Sequence, residues 1–245
     1  MGTYGTLVGA GGGFLVVPAL LWVTGATPAV AAGTSLVVVL FNACSGTFAY
    51  ARRGLVDWKT ALLFAAATVP GGLLGPRLLS HLSERAFQAG FGSLLILVAG
   101  ILAFRPSSPP GEGRLKLGRR EYAGGFLLSL CVGFLSSMSG IGGGVIHVPV
   151  LIYALGFPTH LAVATSHATL AISAGVGVAE HARLGHVLWP KALAMGAGAL
   201  VGAQLGARLS EKLKAPLLIR ALGLAIGLVG LRCLWTALGG GGPGR

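Results

Sequence analysis

The chain has 245 residues, of which 54% are hydrophobic and only 10% are charged. Soluble domains carry about 25% charged residues, so this composition excludes an ordinary soluble protein. No Asp, Glu, Lys or Arg occurs in residues 1–51 or 122–179. Apolar stretches of this length are typical of membrane-spanning helices joined by short turns. The sequence therefore predicts an all-α polytopic membrane protein, a multi-pass protein of the cell inner membrane or plasma membrane.

The net charge of +12 does not indicate nucleic-acid binding, because the basic residues fall in short loops without aromatic residues between them. Lys and Arg in the loops of a membrane protein record its topology. Three cysteines, Cys44, Cys131 and Cys233, lie in apolar surroundings at unrelated spacings. They are typical of small core residues, and we predict no disulfide, no metal site and no cofactor.

Four apolar segments come first along the chain and form a first transmembrane repeat in residues 1–104. A basic, Pro/Gly-rich linker follows in 105–121, and we expect it in the cytoplasm. Four more apolar segments form a second transmembrane repeat in 122–238, and a glycine-rich tail occupies 239–245. We expect one integral membrane domain in all. The segments cover about 1–23, 29–50, 58–78 and 86–104, then about 122–156, 160–180, 188–207 and 216–238.

The two repeats align with each other without gaps when the sequence is shifted by 131 residues. GAGGGFLVVPAL at 9–20 then matches GIGGGVIHVPVL at 140–151, and the alignment continues to Val98. Residues 121–131 have no counterpart, because Met1 aligns with Val132. One constant offset over this length indicates an internal duplication, which is a feature of many transporter folds.

The first apolar segment of each repeat is broken by a glycine cluster, which we call a glycine knot: residues 9–13 and residues 140–144. Glycine costs a helix about 1 kcal/mol relative to alanine, so each knot predicts a break. The broken segment is either a discontinuous crossing helix or a re-entrant hairpin. A hairpin gives three crossings per repeat and inverted repeats, whereas a crossing gives four and parallel repeats. The positive charges fit both models, and we favour the hairpin because the half-segments are short and inverted repeats are common in carriers.

The same residues carry a resemblance to a known family. Two copies of G-x-G-G-G…V-P-x-L, each followed by A-x-x-T-S and then by A-R-x-G-x-V-x-W, resemble the sulfite exporter TauE/SafE family, also described as toluene-sulfonate uptake permeases. The resemblance covers both repeats. It implies a secondary transporter that moves a small sulfur oxyanion or organosulfonate, such as sulfite or sulfoacetate, by alternating access.

The glycine knots are the first candidates for the substrate-binding site. A helix broken inside the membrane exposes backbone N–H groups at the start of its second half, and these groups favour an anion. Glycine also permits the left-handed backbone of an anion nest. The alternative is that the glycines only let helices pack closely. The candidates are Gly11, Gly12 and Gly13 in the first repeat and Gly142, Gly143 and Gly144 in the second.

Polar side chains near the knots are further candidates. Hydroxyl groups can donate to sulfonate oxygens, and a neutral histidine can donate to an anion or carry a coupled proton. The alternative for each is a hydrogen bond to a helix carbonyl. These candidates are Thr34, Ser35, Asn42, Ser139, His147, Thr165, Ser166 and His167.

Other functions are weaker interpretations of these residues. SSMSG at 136–140 is similar to an intramembrane protease motif with Ser139 as nucleophile, but Ser137 stands where the motif needs glycine. A metal-ion carrier would use the second-repeat histidines, which have no carboxylate or thiolate beside them in mid-helix. We therefore predict a transporter and not an enzyme, with a small anion and membrane lipid as partners and no nucleic acid. A coupling proton and a homodimer stay open.

Charged residues at one membrane edge have two interpretations. Glu180, His181 and Arg183 stand together at the end of an apolar segment. They form either a gate or an interfacial salt bridge, and the sequence favours the salt bridge.

Overall fold

The computed structural model describes residues 1–104 and 118–239, and every regular element in these ranges is a helix. The first repeat holds α1 (Gly2–Leu7), α2 (Gly13–Thr24), α3 (Pro28–Ala51), α4 (Trp58–Leu79) and α5 (Glu84–Phe104). The second repeat holds α6 (Arg119–Ser139), α7 (Gly144–Pro149) with a π-helical continuation at Val150–Ala154, α8 (Thr159–Arg183), α9 (Trp189–Lys212) and α10 (Ala215–Ala237). The predicted linker lies mostly outside the described residues, at 105–117, and the tail does so from 240 onward.

Seven of the described helices are long and apolar enough to cross a membrane, namely α3, α4, α5, α6, α8, α9 and α10. Large apolar side chains such as Leu62, Leu97, Leu205 and Leu228 stay exposed along them, as a lipid-facing surface requires. The prediction of an all-α, multi-pass membrane protein is confirmed.

Local sequence explains where the helices begin and end. Asp57 precedes α4, and its carboxylate accepts a hydrogen bond from the backbone N–H of Thr60 at 3.2 Å, which caps the helix. Pro28 begins α3. Proline is favourable there because the first N–H groups of a helix have no partner within it, so the missing N–H costs no hydrogen bond. Gly25 and Gly140 end α2 and α6 in the left-handed conformation that side-chain-bearing residues rarely adopt.

Helices from the two repeats pack in matching pairs. The 131-residue shift relates α1 to α6, α3 to α8 and α4 to α9. Helix α6 packs along α4, and α1 packs along α9. The first helix of each repeat therefore lies against the fourth helix of the other repeat. In the centre α3 packs on α8 and α9, α8 packs on α3 and α4, and α5 packs on α10.

The direction of α6 follows from its contacts with α4. Near the start of both helices, Lys59 Nζ lies 4.6 Å from the ring centre of Tyr122. Further along both, the Ser137 hydroxyl donates to the carbonyl of Gly72 at 2.9 Å. The two helices therefore run in the same direction.

Helix α8 also runs in the same direction as α4. At the start of α4, the Asp57 N–H donates to Thr165 Oγ1 at 3.1 Å. At its end, Arg77 Nε donates to Glu180 Oε1 at 2.8 Å. Helices α4, α6 and α8 thus all begin at one end of the molecule.

Helices α5 and α10 run in opposite directions. Gly92, in the first half of α5, lies against Gly230 near the end of α10. Leu102, at the end of α5, lies against Gly223 near the start of α10.

Both glycine knots break the helical chain with left-handed glycines. Positive φ angles occur at Gly9, Gly11 and Gly12 in one knot and at Gly140, Gly142 and Gly143 in the other. The breaks predicted from the glycine clusters are therefore present, between α1 and α2 and between α6 and α7.

Candidate functional site

The two glycine knots lie against each other in the interior. A Cβ atom on Gly13 would overlap the carbonyl oxygen of Gly140, and a Cβ atom on Gly144 would overlap the carbonyl oxygen of Gly9. These two contacts are the same contact under the 131-residue shift. At both positions glycine is required because backbone of the other repeat occupies the place of a side chain.

Two apolar side chains cover the middle of both knots. A Cβ atom on Gly11 would meet Leu170 at 2.6 Å and Val39 at 3.0 Å, and one on Gly142 would meet both at 2.5 Å. Val39 and Leu170 correspond to each other in the two repeats, and both are buried. The space between the knots is therefore closed by apolar packing in this conformation.

The predicted serines hold the knots in place. Ser35 Oγ donates to the carbonyl of Gly140 at 2.8 Å, and Ser166 Oγ donates to the carbonyl of Gly9 at 3.2 Å. Each serine thus belongs to one repeat and bonds the knot of the other. Their hydroxyl protons are engaged by backbone carbonyls.

The predicted threonines make a second matched pair of contacts. Thr34 Oγ1 accepts from the N–H of Leu188 at 3.0 Å, and Thr165 Oγ1 accepts from the N–H of Asp57 at 3.1 Å. Leu188 and Asp57 are the last residues before α9 and α4. Each threonine therefore ties α3 or α8 to the start of a helix of the opposite repeat.

Asn42 and Ser139 lie in the interior but bond to neighbouring helix residues. Asn42 Oδ1 accepts from Thr6 Oγ1 at 2.9 Å, and Asn42 Nδ2 donates to the carbonyl of Gly2 at 2.8 Å. Ser139 Oγ donates to the carbonyl of Ser136 at 3.4 Å. Asn42 fixes α1 against α3, away from the second knot.

His147 lies beside the second knot. Its Nε2 atom is 3.2 Å from Ser129 Oγ, and its ring stacks on Phe64 with 6.2 Å between ring centres. A Cβ atom on Gly143 would lie 3.3 Å from His147 Nδ1. The sequence predicts that His147 lies near the second knot, and the structure has it there.

His167 lies on the face of α8 that packs against α3. Its ring packs edge-on to Tyr50, with 5.7 Å between ring centres. Gly46 leaves room for the ring, since a Cβ there would lie 2.6 Å from it. The imidazole is fully buried and packs against α3.

An ion-pair cluster at the end of α8 includes a residue that the sequence did not indicate. Glu180 accepts hydrogen bonds from Arg183 at 2.8 Å, as the i, i+3 spacing allows, and from Arg77 of α4 at 2.8 Å. Glu180 is only 5% exposed, whereas both arginines are more than half exposed. No local signal links Arg77 to Glu180, because the contact depends on how α4 packs on α8.

Two histidines form a pair at the same end of the molecule. His181 Nδ1 lies 3.3 Å from His186 Nδ1, and His181 Nε2 lies 3.0 Å from the carbonyl oxygen of Ser137. Partial burial lowers the pKa of His186, which lies in the loop after α8. His186 also lines a cleft of about 460 Å³ between the loops that follow α2, α4 and α8.

Among the residues that the structure describes, no group of three or more His, Cys, Asp or Glu side chains could hold a metal ion. Four of the six histidines lie at three separate places: one beside the second knot, one against Tyr50, and two at the end of α8.

The fold and its interior define a polytopic α-helical membrane protein in which two glycine-broken segments meet. The family model for the sulfite exporter TauE/SafE matches residues 1–233. The chain is 32% identical to the probable membrane transporter protein YunE of Bacillus subtilis (strain 168), over 97% of this chain and 94% of that protein. It is also 32% identical to a probable membrane transporter protein of Xylella fastidiosa (strain 9a5c), over 94% and 90%. The probable membrane transporter protein YfcA of Escherichia coli (strain K12) is 29% identical over 80% and 72%.

No solved structure matches the chain. The chain belongs to the sulfite exporter TauE/SafE family of membrane transporters. The resemblance drawn from the repeated motifs is confirmed, and the protein is a multi-pass membrane transporter.

Proposed function

We propose that the protein is a secondary transporter that carries a small sulfur oxyanion or organosulfonate, such as sulfite or sulfoacetate, across the cell membrane by alternating access. The family supports transport as the activity, and the paired knots support an anion as the substrate. Helices α2 and α7 begin at the knots, and the first backbone N–H groups of a helix have no partner within it, so they favour an anion.

The arrangement of helices supports inverted repeats with re-entrant hairpins. Helices α6 and α8 both begin at the end of the molecule where α4 begins, so the chain through α7 returns to that end. Although α6 alone is long enough to cross, α6 and α7 together enter and leave at the same end. The crossings are then α3, α4 and α5 in the first repeat and α8, α9 and α10 in the second, and α5 and α10 run antiparallel as inversion requires. Helix α5 ends at the end of the molecule where α4, α6 and α8 begin, and the basic sequence between α5 and α6 assigns that end to the cytoplasm by the positive-inside rule.

Two matched pairs of hydrogen bonds supply a mechanism for alternating access. We call the bonds of Thr34 and Ser35 the first clasp and those of Thr165 and Ser166 the second clasp. Gly33 near the start of α3 lies against His181 near the end of α8, so these two helices run antiparallel. The first clasp, near the start of α3, and the second, near the start of α8, therefore lie at opposite ends of the pair. Opening one clasp while the other stays closed exposes the knots to one side of the membrane only.

The conformation described here has both clasps closed and Val39 and Leu170 packed between the knots. It therefore corresponds to an occluded state. Movement of these two apolar side chains is needed before an anion reaches the knots.

The observation that carries the proposal is the reciprocal contact of Gly13 with Gly140 and of Gly144 with Gly9. It brings one knot from each repeat to one point, where an alternating-access carrier needs its site. A packing role alone does not require left-handed glycines at Gly12 and Gly143, where a Cβ would not overlap backbone.

The direct test is the flux of radiolabelled sulfite into proteoliposomes that contain the purified protein. We expect saturable flux that unlabelled sulfoacetate or sulfite inhibits. Flux no greater than that of empty liposomes, for both anions and both directions, would contradict the proposal. A reporter fused after Arg245 tests the inverted arrangement, for which it lies outside the cell; a cytoplasmic C-terminus would contradict it.

A further inference from the structure

The place that a side chain on Gly143 would occupy, which we call the pocket, is bordered by Val132 and by two buried polar side chains. A Cβ atom on Gly143 would lie 3.3 Å from His147 Nδ1 and 3.3 Å from Ser136 Oγ. Both side chains are buried, with His147 1% exposed and Ser136 3% exposed. Gly143, with a φ of 87°, therefore leaves two buried polar atoms uncovered at the same point.

Neighbouring residues fix the imidazole so that Nδ1 faces this pocket. Ser129 Oγ lies 3.2 Å from Nε2, at the opposite edge of the ring. Phe64 stacks on the ring face at an interplanar angle of 23°. Gly125 provides the room for Phe64, because a Cβ on Gly125 would overlap the phenyl ring. The orientation of His147 is thus set by two direct contacts, with Ser129 and with Phe64, neither of which uses Nδ1.

Nδ1 of His147 is buried and has no hydrogen-bond partner within the described ranges. Buried polar atoms are almost always paired, so an unpaired one indicates a ligand or a water molecule. Within the described ranges, the one side-chain hydrogen bond of Ser129 is the bond with His147 Nε2. If the serine hydroxyl donates to Nε2, the ring proton is on Nδ1, and Nδ1–H is a free donor.

The first repeat has no such pocket. The positions that correspond to His147 and Ser136 are Val16 and Gly5. A Cβ atom on Gly12, the counterpart of Gly143, would meet the carbonyl of Met1 at 3.2 Å and no side-chain donor. A carbonyl oxygen repels an anion, so only the second knot offers neutral donors beside its left-handed glycine.

We propose that Ser136, Gly143 and His147 form an oxyanion subsite that binds one oxygen of a sulfite ion or of a sulfonate head group. This proposal rests on the proposed function and adds to it a place and two donors, His147 Nδ1–H and the Ser136 hydroxyl. The second repeat then holds the anion, and the first repeat mainly moves relative to it. Two neutral donors bind an anion without the strong attraction of a buried cation, so the anion is released on each cycle.

The test measures the KM for sulfite flux in proteoliposomes, normalised to inserted protein. Ser136→Ala and His147→Leu each remove one donor, and each raises the KM about tenfold to a hundredfold, the usual loss for a hydrogen bond to a charged group. His147→Asn restores an amide N–H close to the place of Nδ1 and recovers part of the affinity. A structural role of His147 alone would give no such recovery.

Two variants control for backbone strain and for packing. Gly185→Ala changes a loop glycine with a φ of 75° where a Cβ meets no atom within 4 Å, and we expect a wild-type KM. Gly124→Ala changes a glycine of α6 that also faces open space, with the same expectation. Ser136→Ala keeps the volume of the interior nearly unchanged, so it remains decisive if His147→Leu does not insert.

The outcomes separate the subsite from the transport activity. Absence of wild-type flux contradicts the proposed function itself. Wild-type flux with an unchanged KM in Ser136→Ala overturns the subsite and leaves transport standing. Competition by methanesulfonate distinguishes a subsite for sulfonates from a subsite for sulfite. If the subsite binds sulfonates, methanesulfonate no longer competes for transport in Ser136→Ala. If it binds sulfite, that variant loses affinity for sulfite alone.

Discussion

The two repeats share a backbone geometry and differ in the side chains placed around it. Both have a knot with three left-handed glycines, a buried Thr-Ser pair and a contact with the knot of the other repeat. Three buried titratable side chains of the second repeat have no titratable counterpart in the first. Where the second repeat has His147, His167 and Glu180, the first has Val16, Leu36 and Ala49.

This difference separates two tasks. The features present in both repeats are those that break the helices and tie the repeats together, and alternating access needs them at both ends. The features present only in the second repeat are donors, acceptors and charges, and recognition of one substrate needs them only once. We infer that the duplicated backbone serves movement and that the second repeat supplies most of the chemistry.

The largest expected effect comes from the contact that the repeats share. Gly13→Val and Gly144→Val each place a side chain where a carbonyl of the other repeat lies. Overpacking of this kind costs about 1–3 kcal/mol. We expect both variants to lose at least about tenfold in sulfite flux and to melt at a lower temperature in detergent. Loss in only one of them would contradict the equivalence of the two contacts.

A smaller effect is expected at a position that is polar in the second repeat and apolar in the first. His167→Leu gives the second repeat the side chain that Leu36 supplies in the first. If His167 carries a coupling proton, transport driven by a pH gradient is lost, while exchange of labelled for unlabelled anion at equal pH continues. Accumulation is measured with and without a pH gradient. An unchanged response to the gradient would remove His167 from coupling.

A still smaller effect is expected from the ion-pair cluster at the end of α8. Glu180→Gln removes the charge that accepts from both Arg77 and Arg183, so two partly exposed arginines lose their partner. We expect a lower melting temperature in detergent and faster flux in one direction, because α4 and α8 are held together less firmly at that end. Arg208→Gln is the matched control, since Arg208 corresponds to Arg77 and Ala49 corresponds to Glu180. Equal destabilisation by both variants would contradict a specific role for the cluster.

The sequence predicted the helices, their breaks and the family, because these depend on local patterns. Apolar length marks a membrane helix, and the clustered glycines mark the two breaks. The offset of 131 residues also related each candidate residue to its counterpart, such as Ser35 to Ser166. A duplicated chain shows in its sequence which positions are equivalent.

The sequence could not show which partner each polar group would have. Ser35 bonds Gly140 and Thr34 bonds Leu188, at separations of 105 and 154 residues, and no local pattern encodes such pairs. The same is true of Arg77 with Glu180. Ser129 and Ser136 were not among the candidates either, and only their positions on α6 relative to His147 and Gly143 reveal them.

The central claim is that the left-handed glycine of the second knot takes part in anion transport. Sulfite flux per inserted protein in Gly143→Val, compared with the wild type and with Gly227→Ala, tests it most directly. Gly227 faces only an ordinary contact at 3.5 Å with Ala99 and controls for a changed helix glycine. A side chain at a φ of 87° costs about 1–3 kcal/mol and would cover the polar atoms beside the knot. The account predicts no sulfite flux in Gly143→Val and normal flux in Gly227→Ala; wild-type flux in Gly143→Val would contradict it.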